Sequence, residues 1–287
     1  LLASYTIDAK RKPLGKGTFG VVFAGKNNRT GATVAIKMKK MPADTEDGFP
    51  SDTIVEIGVL ALLRESKHVG ASHIVKFEGV FSSTLETTPT QSFVFELCEN
   101  DLSKELKKPG GISEQEAKKY TEHLLTGLSL MHSFGIGHRD LKPQNLLVKN
   151  GVLKIADMGL ALVTSAGRRS DLSKHVFTLW YRPPEILYGS TSYFMSADMW
   201  SVGCIMSEMV TRRVLFPGDN EIDTIRMQFL KLGKPSKEAD ADPRIKLNTD
   251  DFKDFPSEML EHLSAPTPEQ LDKTLGITPS LGPAWRL

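Results

Sequence analysis

The sequence predicts an α+β protein of two lobes. A small antiparallel β lobe with one main helix takes residues 1–97, a short hinge takes 98–101, and a larger, mostly helical lobe takes 102–287. Three observations point there. Apolar runs typical of strands dominate the first hundred positions. Helical spacing of apolar residues dominates most of the remaining chain. A chain of 287 residues, at about 150 per domain, makes two compact domains or one large one.

The strands come first. Residues 19–24 (FGVVFA) and 33–38 (TVAIKM) are β-rich runs joined by Asn27-Asn28-Arg29-Thr30-Gly31, a turn sequence. In the second run Val34, Ile36 and Met38 share one face, while Ala35 and Lys37 share the other. Pro50-Ser51 opens a helix through about Glu65, and on it Glu56 lies on the side of Leu60 and Leu63. An acid beside those leucines faces packing and requires a cationic partner. Residues 93–97 (FVFEL) form an apolar strand ending at the polar Glu99-Asn100-Asp101.

The helical part opens with a capping box, Ser113-Glu114-Gln115-Glu116. The helix behind it carries Ala117, Tyr120, Leu124, Leu128 and Met131 at helical spacing. Two strand-like runs, 146–148 and 152–155, flank Asn150-Gly151, the strongest short-range hairpin signal. Residues 197–210 (ADMWSVGCIMSEMV) are apolar nearly all round and read as a buried helix. Past about 236 the chain is richer in Pro, Asp, Glu and Lys, and no element is assigned there.

Composition excludes several classes. Lys plus Arg total 36 and Asp plus Glu total 35, a net charge of +1, which argues against a dedicated nucleic-acid binder. Two cysteines, Cys98 and Cys204, make no disulfide framework and have no metal-ligand spacing, so a reducing compartment is expected. No apolar stretch approaches the roughly 18–20 residues of a membrane span. The opening LLASYTIDAK has no signal-peptide pattern, and a cytoplasmic or nuclear location is the expectation.

Chemistry concentrates in a few segments. Gly15, Gly17 and Gly20 form a glycine-rich turn feeding a strand; such glycines let backbone amides approach phosphate oxygens. An empty tight hairpin is the plain alternative. A dinucleotide fold is disfavoured because a strand comes next, not a helix. Lys37 is either an edge-strand lysine with its ammonium in water or a phosphate ligand held by Glu56; pairing with Glu56 separates the two. In His138-Arg139-Asp140-Leu141-Lys142-Pro143-Gln144-Asn145, Asp140 can accept a proton from a hydroxyl, Lys142 can steady a transferring phosphate, and Asn145 can hold a metal ion. Asp157, beyond the hairpin, offers a second oxygen ligand suited to Mg²⁺.

The glycine loop, Val34-Ala35-Ile36-Lys37, Glu56, His138–Asn145, Asp157-Met158-Gly159 and Pro183-Pro184-Glu185 resemble, in order and spacing, the motifs of eukaryotic protein kinases over residues 4 to about 235. Within them the chain is most similar to cyclin-dependent kinases. Residues 50–56 (PSDTIVE) resemble their cyclin-binding helix, 93–97 their hinge strand, and 178–185 (TLWYRPPE) the end of their activation segment, here 157–185. The resemblance implies a bilobal kinase fold with ATP and Mg²⁺ in its cleft, and transfer of the γ-phosphoryl to Ser or Thr of proteins. It makes Lys37 a phosphate ligand paired with Glu56, Asp140 the catalytic base assisted by Lys142 and bridged by Thr178, and Asn145 and Asp157 the metal ligands. Adenine would lie among Val22, Ala35 and Leu147, with backbone bonds to Glu96 and Cys98 and with Phe95 as gatekeeper. Asp198 would hold the catalytic loop, and Arg182 fits a preference for proline after the acceptor. A cyclin-like subunit and Ser/Thr-Pro protein substrates are the implied partners, with no nucleic acid and no membrane.

Departures from the pattern modify this. Met158 stands where Phe is usual, a variant shared with mediator-type transcriptional kinases. Phe19 replaces an inhibitory tyrosine, leaving Thr18 as a regulatory phosphosite. Of three arginines that gather an activating phosphate only Arg139 is present, since Val55 and Leu162 fill the other positions. Ser173 aligns to the phosphosite, and activity is expected to depend on it less than in cell-cycle members. Arg168 or Arg169 would have to compensate. Past 235 the family's late helices and the arginine partner of Glu185 are not recognised. The competing readings are a pseudokinase, a kinase-shaped module that docks a partner without turnover, and a mediator-type transcriptional kinase, which Met158 and the weakened phosphate anchor favour.

Overall fold

The computed structural model describes residues 4–7, 12–17, 20–40, 51–85, 88–163, 176–190, 195–233 and 269–270. Contacts divide the chain into two units: Leu1–Asp101 with His123–Met131 and Leu146–Ala161, and Leu102–Glu122 with His132–Asn145 and Leu162–Leu287. Among the described residues no helix is long and apolar enough to cross a membrane.

In the first unit, β1 (Tyr5–Ile7), β2 (Gly15–Gly17), β3 (Gly20–Asn27) and β4 (Thr33–Lys40) precede α1 (Ser51–Arg64), and β5 (Phe77–Leu85) and β6 (Thr88–Glu96) come after it. The sheet order is β1-β3-β4-β6-β5, with β2 on β3 and every pairing antiparallel. The β3–β4 turn forms as its sequence predicts. The Asn27 side chain accepts the Arg29 and Thr30 amides, and Gly31 takes the left-handed conformation (φ 76°) that closes the turn. The alternation in β4 is borne out: Val34, Ile36 and Met38 are buried with Phe23, Phe81 and Val94. The strand read at 93–97 is longer than predicted, because Thr90, Gln91 and Ser92 are buried polar residues within it. Pro89 is tolerated there since it pairs only with Thr84 of β5, beyond the last β4 partner, Thr90.

The α1 helix buries Thr53, Glu56, Val59, Leu60 and Leu63, the face the sequence assigns; Pro50 lies outside the described residues. After the two-residue β7 (Asn100–Asp101) come α2 (Leu102–Leu106), α3 (Glu114–Ser133) and β8 (Ile136–Gly137). The α3 capping box is realised: the Glu116 amide donates to Ser113 Oγ at 3.2 Å, and the Ser113 amide returns to Glu116 Oε2 at 2.9 Å. Then β9 (Leu146–Lys149) and β10 (Val152–Ile155) form the predicted hairpin, with Asn150 (φ 50°) and Gly151 (φ 69°) both left-handed. The sequence reading gives all of 102–287 to the second lobe, but this hairpin groups with the first unit. There β9 pairs with β7, and Ile155 O accepts the Val75 amide at 2.9 Å.

In the second unit β11 (Leu162–Val163) pairs with β8, and α4 (Pro184–Leu187), α5 (Ala197–Thr211) and α6 (Glu221–Leu232) come next. The α5 helix is buried along most of its length, as its composition predicts. The α6 helix has no counterpart in the sequence reading; Asn220 caps it by accepting the Asp223 amide, and its Ile225 and Phe229 pack on Leu187.

Glu185, in the short α4, is largely buried, and burial pushes its carboxyl up to about 7 from the ordinary 4.5. Among the described residues no cation pairs with it, and the tail from 236 lies outside them. Between 4.5 and 7 the unfolded chain releases this proton while the folded chain keeps it, so stability falls as pH rises through that window and levels off above it. Urea unfolding should show a loss on the order of 3 kcal/mol from this group between pH 4.5 and 7.5. Glu185→Gln should flatten the slope; an unchanged slope would refute the assignment.

Candidate active site

The first unit assembles a lysine between two carboxylates. In antiparallel pairs, facing residues point to the same side, so the register Val22–Lys37–Phe93 and Ala35–Phe95 presents Val22, Ala35, Lys37 and Phe95 on the sheet face opposite its aliphatic core. Lys37 Nζ lies 3.1 Å from Glu56 Oε1 and 2.7 Å from Asp157 Oδ1. Burial opposes its charge, but Asp157 and Glu56 outweigh burial and raise its pKa above the ordinary lysine value. The Lys37–Glu56 pair that separates the two readings of Lys37 is therefore present. Glu56 is 1% exposed, with the cationic partner its position requires.

The glycine turn is built for close backbone approach. Gly17 pairs with Gly20, and at Gly20 (φ 139°) a Cβ would sit 2.3 Å from the Met38 carbonyl oxygen. Thr18 and Phe19 at its tip lie outside the described residues. Leu147 and Cys98 are half-buried. The Cys98 thiol is pushed up to about 11 by burial and by Glu96, so it is protonated at neutral pH. The Glu96 amide donates to Lys76 O at 3.0 Å, so the expected adenine bond to its backbone would fall to the carbonyl. Its carboxylate binds Lys149 and Lys154, each at 2.9 Å, which with the Lys76 amide holds it below the usual range against the opposing effect of burial.

The second unit assembles Asp140, Lys142, Asn145 and Thr178. Lys142 Nζ donates to Asp140 Oδ2 at 2.7 Å and to Thr178 Oγ1 at 2.9 Å, while Thr178 Oγ1 donates to Asp140 Oδ1 at 2.7 Å. Asn145 Nδ2 is committed to the Asp140 carbonyl (2.8 Å) and Oδ2 (2.9 Å). This orients the amide and leaves its oxygen as the atom suited to a hard cation. Asp157 in the first unit offers the same chemistry. Mg²⁺ takes one or two protein oxygens and completes its octahedron with water and phosphate. These donors fit that pattern; among the described residues no group of three His, Cys, Asp or Glu forms a closed metal cage.

A buried acid holds the loop that carries Asp140. Asp198, 1% exposed at the start of α5, accepts the amides of His138 (2.8 Å) and Arg139 (2.9 Å) and a contact from His132 Nε2 (2.9 Å). Neither His132 nor its link to Asp198 is visible in the sequence, where it is one more residue at the end of a helix. Arg139 is left-handed (φ 64°), and its carbonyl accepts the amide of Phe177, itself left-handed (φ 61°). Arg182 donates from Nε (3.2 Å) and Nη2 (3.1 Å) to the Phe177 carbonyl and pairs through Nη1 with Glu221, a partner that sequence reasoning missed. Of the phosphate-anchor positions, Val55 is exposed and Leu162 half-buried, while Ser173, Arg168 and Arg169 lie outside the described residues.

Asp198→Asn would turn an amide NH₂ toward backbone donors and lose the charge that accepts them. It should lower folding stability by about 2–4 kcal/mol in chemical denaturation. An unchanged midpoint would show that Asp198 does not hold the loop.

A family model described as protein kinase domain matches residues 9–267. It continues past residue 235, where the sequence reading lost the pattern, and it spans the lysine–carboxylate set, the Asp140 set and Asp198 alike. The chain therefore belongs to the protein kinase domain family.

Proposed function

We propose that this kinase transfers the γ-phosphoryl group of ATP to serine or threonine of proteins, prefers proline after the acceptor, and is activated by a cyclin-like subunit. The observation that carries the reading is the Asp140–Lys142–Thr178 set. Asp140 is positioned to take the proton from an incoming hydroxyl, and Lys142 to offset charge on the transferring group. Thr178 holds both side chains in register. Lys37, kept cationic by its two carboxylates, would bind nucleotide phosphate oxygens, and Val22, Ala35 and Leu147 would enclose the base. Magnesium would supply neutralisation of phosphate charge, with the Asn145 amide oxygen and the Asp157 carboxylate each a candidate ligand. The remaining work is positioning.

The preference for proline rests on Phe177. Its carbonyl is taken twice by Arg182, so a residue after the acceptor would not find the Phe177 carbonyl free for its amide. Proline has no amide hydrogen to leave unpaired, whereas any other residue would bury one at a cost of about 1–3 kcal/mol. Cyclin-type activation is supported by α1, whose outward side carries Ile54, Val55 and Leu62, all exposed.

The test is radiolabelled transfer from ATP with Mg²⁺ to matched Ser-Pro and Ser-Ala peptides, by the chain alone and with a panel of cyclins. Label should depend on a cyclin, favour Ser-Pro by roughly 10- to 100-fold, and disappear in Asp140→Asn. A folded, ATP-binding chain that labels nothing under any condition would favour the pseudokinase reading. Equal labelling of the two peptides would remove the proline preference alone.

A further inference from the structure

The two lysines of β4 that flank Met38 lie on one strand face, two residues apart, and both reach the same carboxylate. Glu56 Oε1 receives Lys37 at 3.1 Å. Glu56 Oε2 is buried without a hydrogen bond, and Lys39 Nζ stands 3.8 Å from it. Lys39 is located by a second contact on α1, donating to Thr53 Oγ1 at 3.0 Å; Thr53 and Glu56 are one helical turn apart and both 1% exposed.

Lys37 is a divided counter-ion. Its shorter contact is already to Asp157, at 2.7 Å against 3.1 Å for Glu56. Nucleotide phosphates would claim a further share of the ammonium while it stays paired with Glu56, and a carboxylate buried in an apolar face is costly when its nearest cation is so divided. We propose that Lys39 is the positioning residue that keeps Glu56 neutralised, and α1 docked on β4, while Lys37 is engaged by the phosphates of ATP. Lys37 can then serve the phosphates and Glu56 together, with Lys39 offsetting the charge that Lys37 leaves uncompensated. Lys39 touches no substrate in this scheme and acts through Glu56. The proposal rests on the reading of Lys37 as a phosphate ligand.

The experiment compares binding of Mg-ATP and of adenosine by titration calorimetry, in the full chain and its variants, with folding checked by circular dichroism. Only the phosphates draw on Lys37. Lys39→Met should therefore weaken Mg-ATP by about three- to tenfold while leaving adenosine unchanged, and Lys39→Arg should restore Mg-ATP binding. In a Glu56→Gln background, where the charge to be neutralised is gone, Lys39→Met should add no further loss. Thr53→Val, which releases Lys39 from α1, should act in the same direction and serves if Lys39→Met does not fold. Equal loss of ATP and adenosine, failure of Arg to rescue, or an undiminished effect in the Glu56→Gln background would overturn the proposal. Lys37→Met is measured beside them. If it leaves Mg-ATP affinity intact while adenosine still binds, the phosphate role of Lys37 fails and the proposal falls with it, an outcome distinct from failure at Lys39 alone.

Discussion

A carboxylate buried to 1% exposure in an apolar helix face survives only beside cations, and that requirement organises the functional half of the first unit. Glu56 shares its helix face with Val59, Leu60 and Leu63, so α1 cannot pack on the sheet without bringing the acid to β4. There the strand alternation turns Lys37 and Lys39 to the same side, away from the buried Val34, Ile36 and Met38. The packing of an aliphatic helix and the placement of Lys37 are thus one event. Each buried leucine of α1 holds the helix against the sheet, and each ion pair fixes where along β4 it stops.

The second unit uses the same physics with a different acceptor. Asp198 is as deeply buried as Glu56, yet its main partners are the backbone amides of His138 and Arg139. Amides cannot drift as lysine side chains do, so this acid fixes a stretch of main chain instead of a helix position. The stretch it fixes delivers Asp140, and Asp140 in turn orders Lys142, Asn145 and Thr178 around itself. The difference suits the chemistry. In the proposed function Lys37 would be a phosphate-binding cation, which tolerates exchange among oxygens, and Asp140 a base, which must hold hydrogen-bond distance and direction.

Legibility in the sequence tracks how local each signal is. The capping box of α3, the Asn-Gly hairpin, the β4 alternation and the need of Glu56 for a cation each depend on a few neighbouring residues and the period of one element, and each is present in the fold. The β5–β6 ladder is only half legible because Thr90, Gln91 and Ser92 are polar yet buried, which no hydropathy pattern betrays. The α6 helix begins at an ordinary Asn cap, and its apolar positions, Ile225 and Phe229, acquire meaning only against Leu187, far away in the chain. Lys39 is silent for the same reason: a second lysine in a strand means nothing until Glu56 and Thr53 are seen beside it.

Backbone conformation marks the site in a way no side-chain pattern does. Five described residues other than glycine have clearly positive φ. Asn150 serves the hairpin turn and Arg212 ends α5; the other three are Arg139, Asp157 and Phe177, each in a segment that the proposed function uses. Such a conformation costs on the order of 1–2 kcal/mol per residue, so it persists only where surrounding bonds impose it. The Arg139 amide is held by Asp198 and its carbonyl by the Phe177 amide; the Phe177 carbonyl is held by Arg182. These bonds run in series from α5 through the loop of Asp140 to the residue before Thr178. A change at either end therefore reaches the loop of Asp140 through hydrogen-bonded main chain, and the strained residues are the joints at which that chain turns.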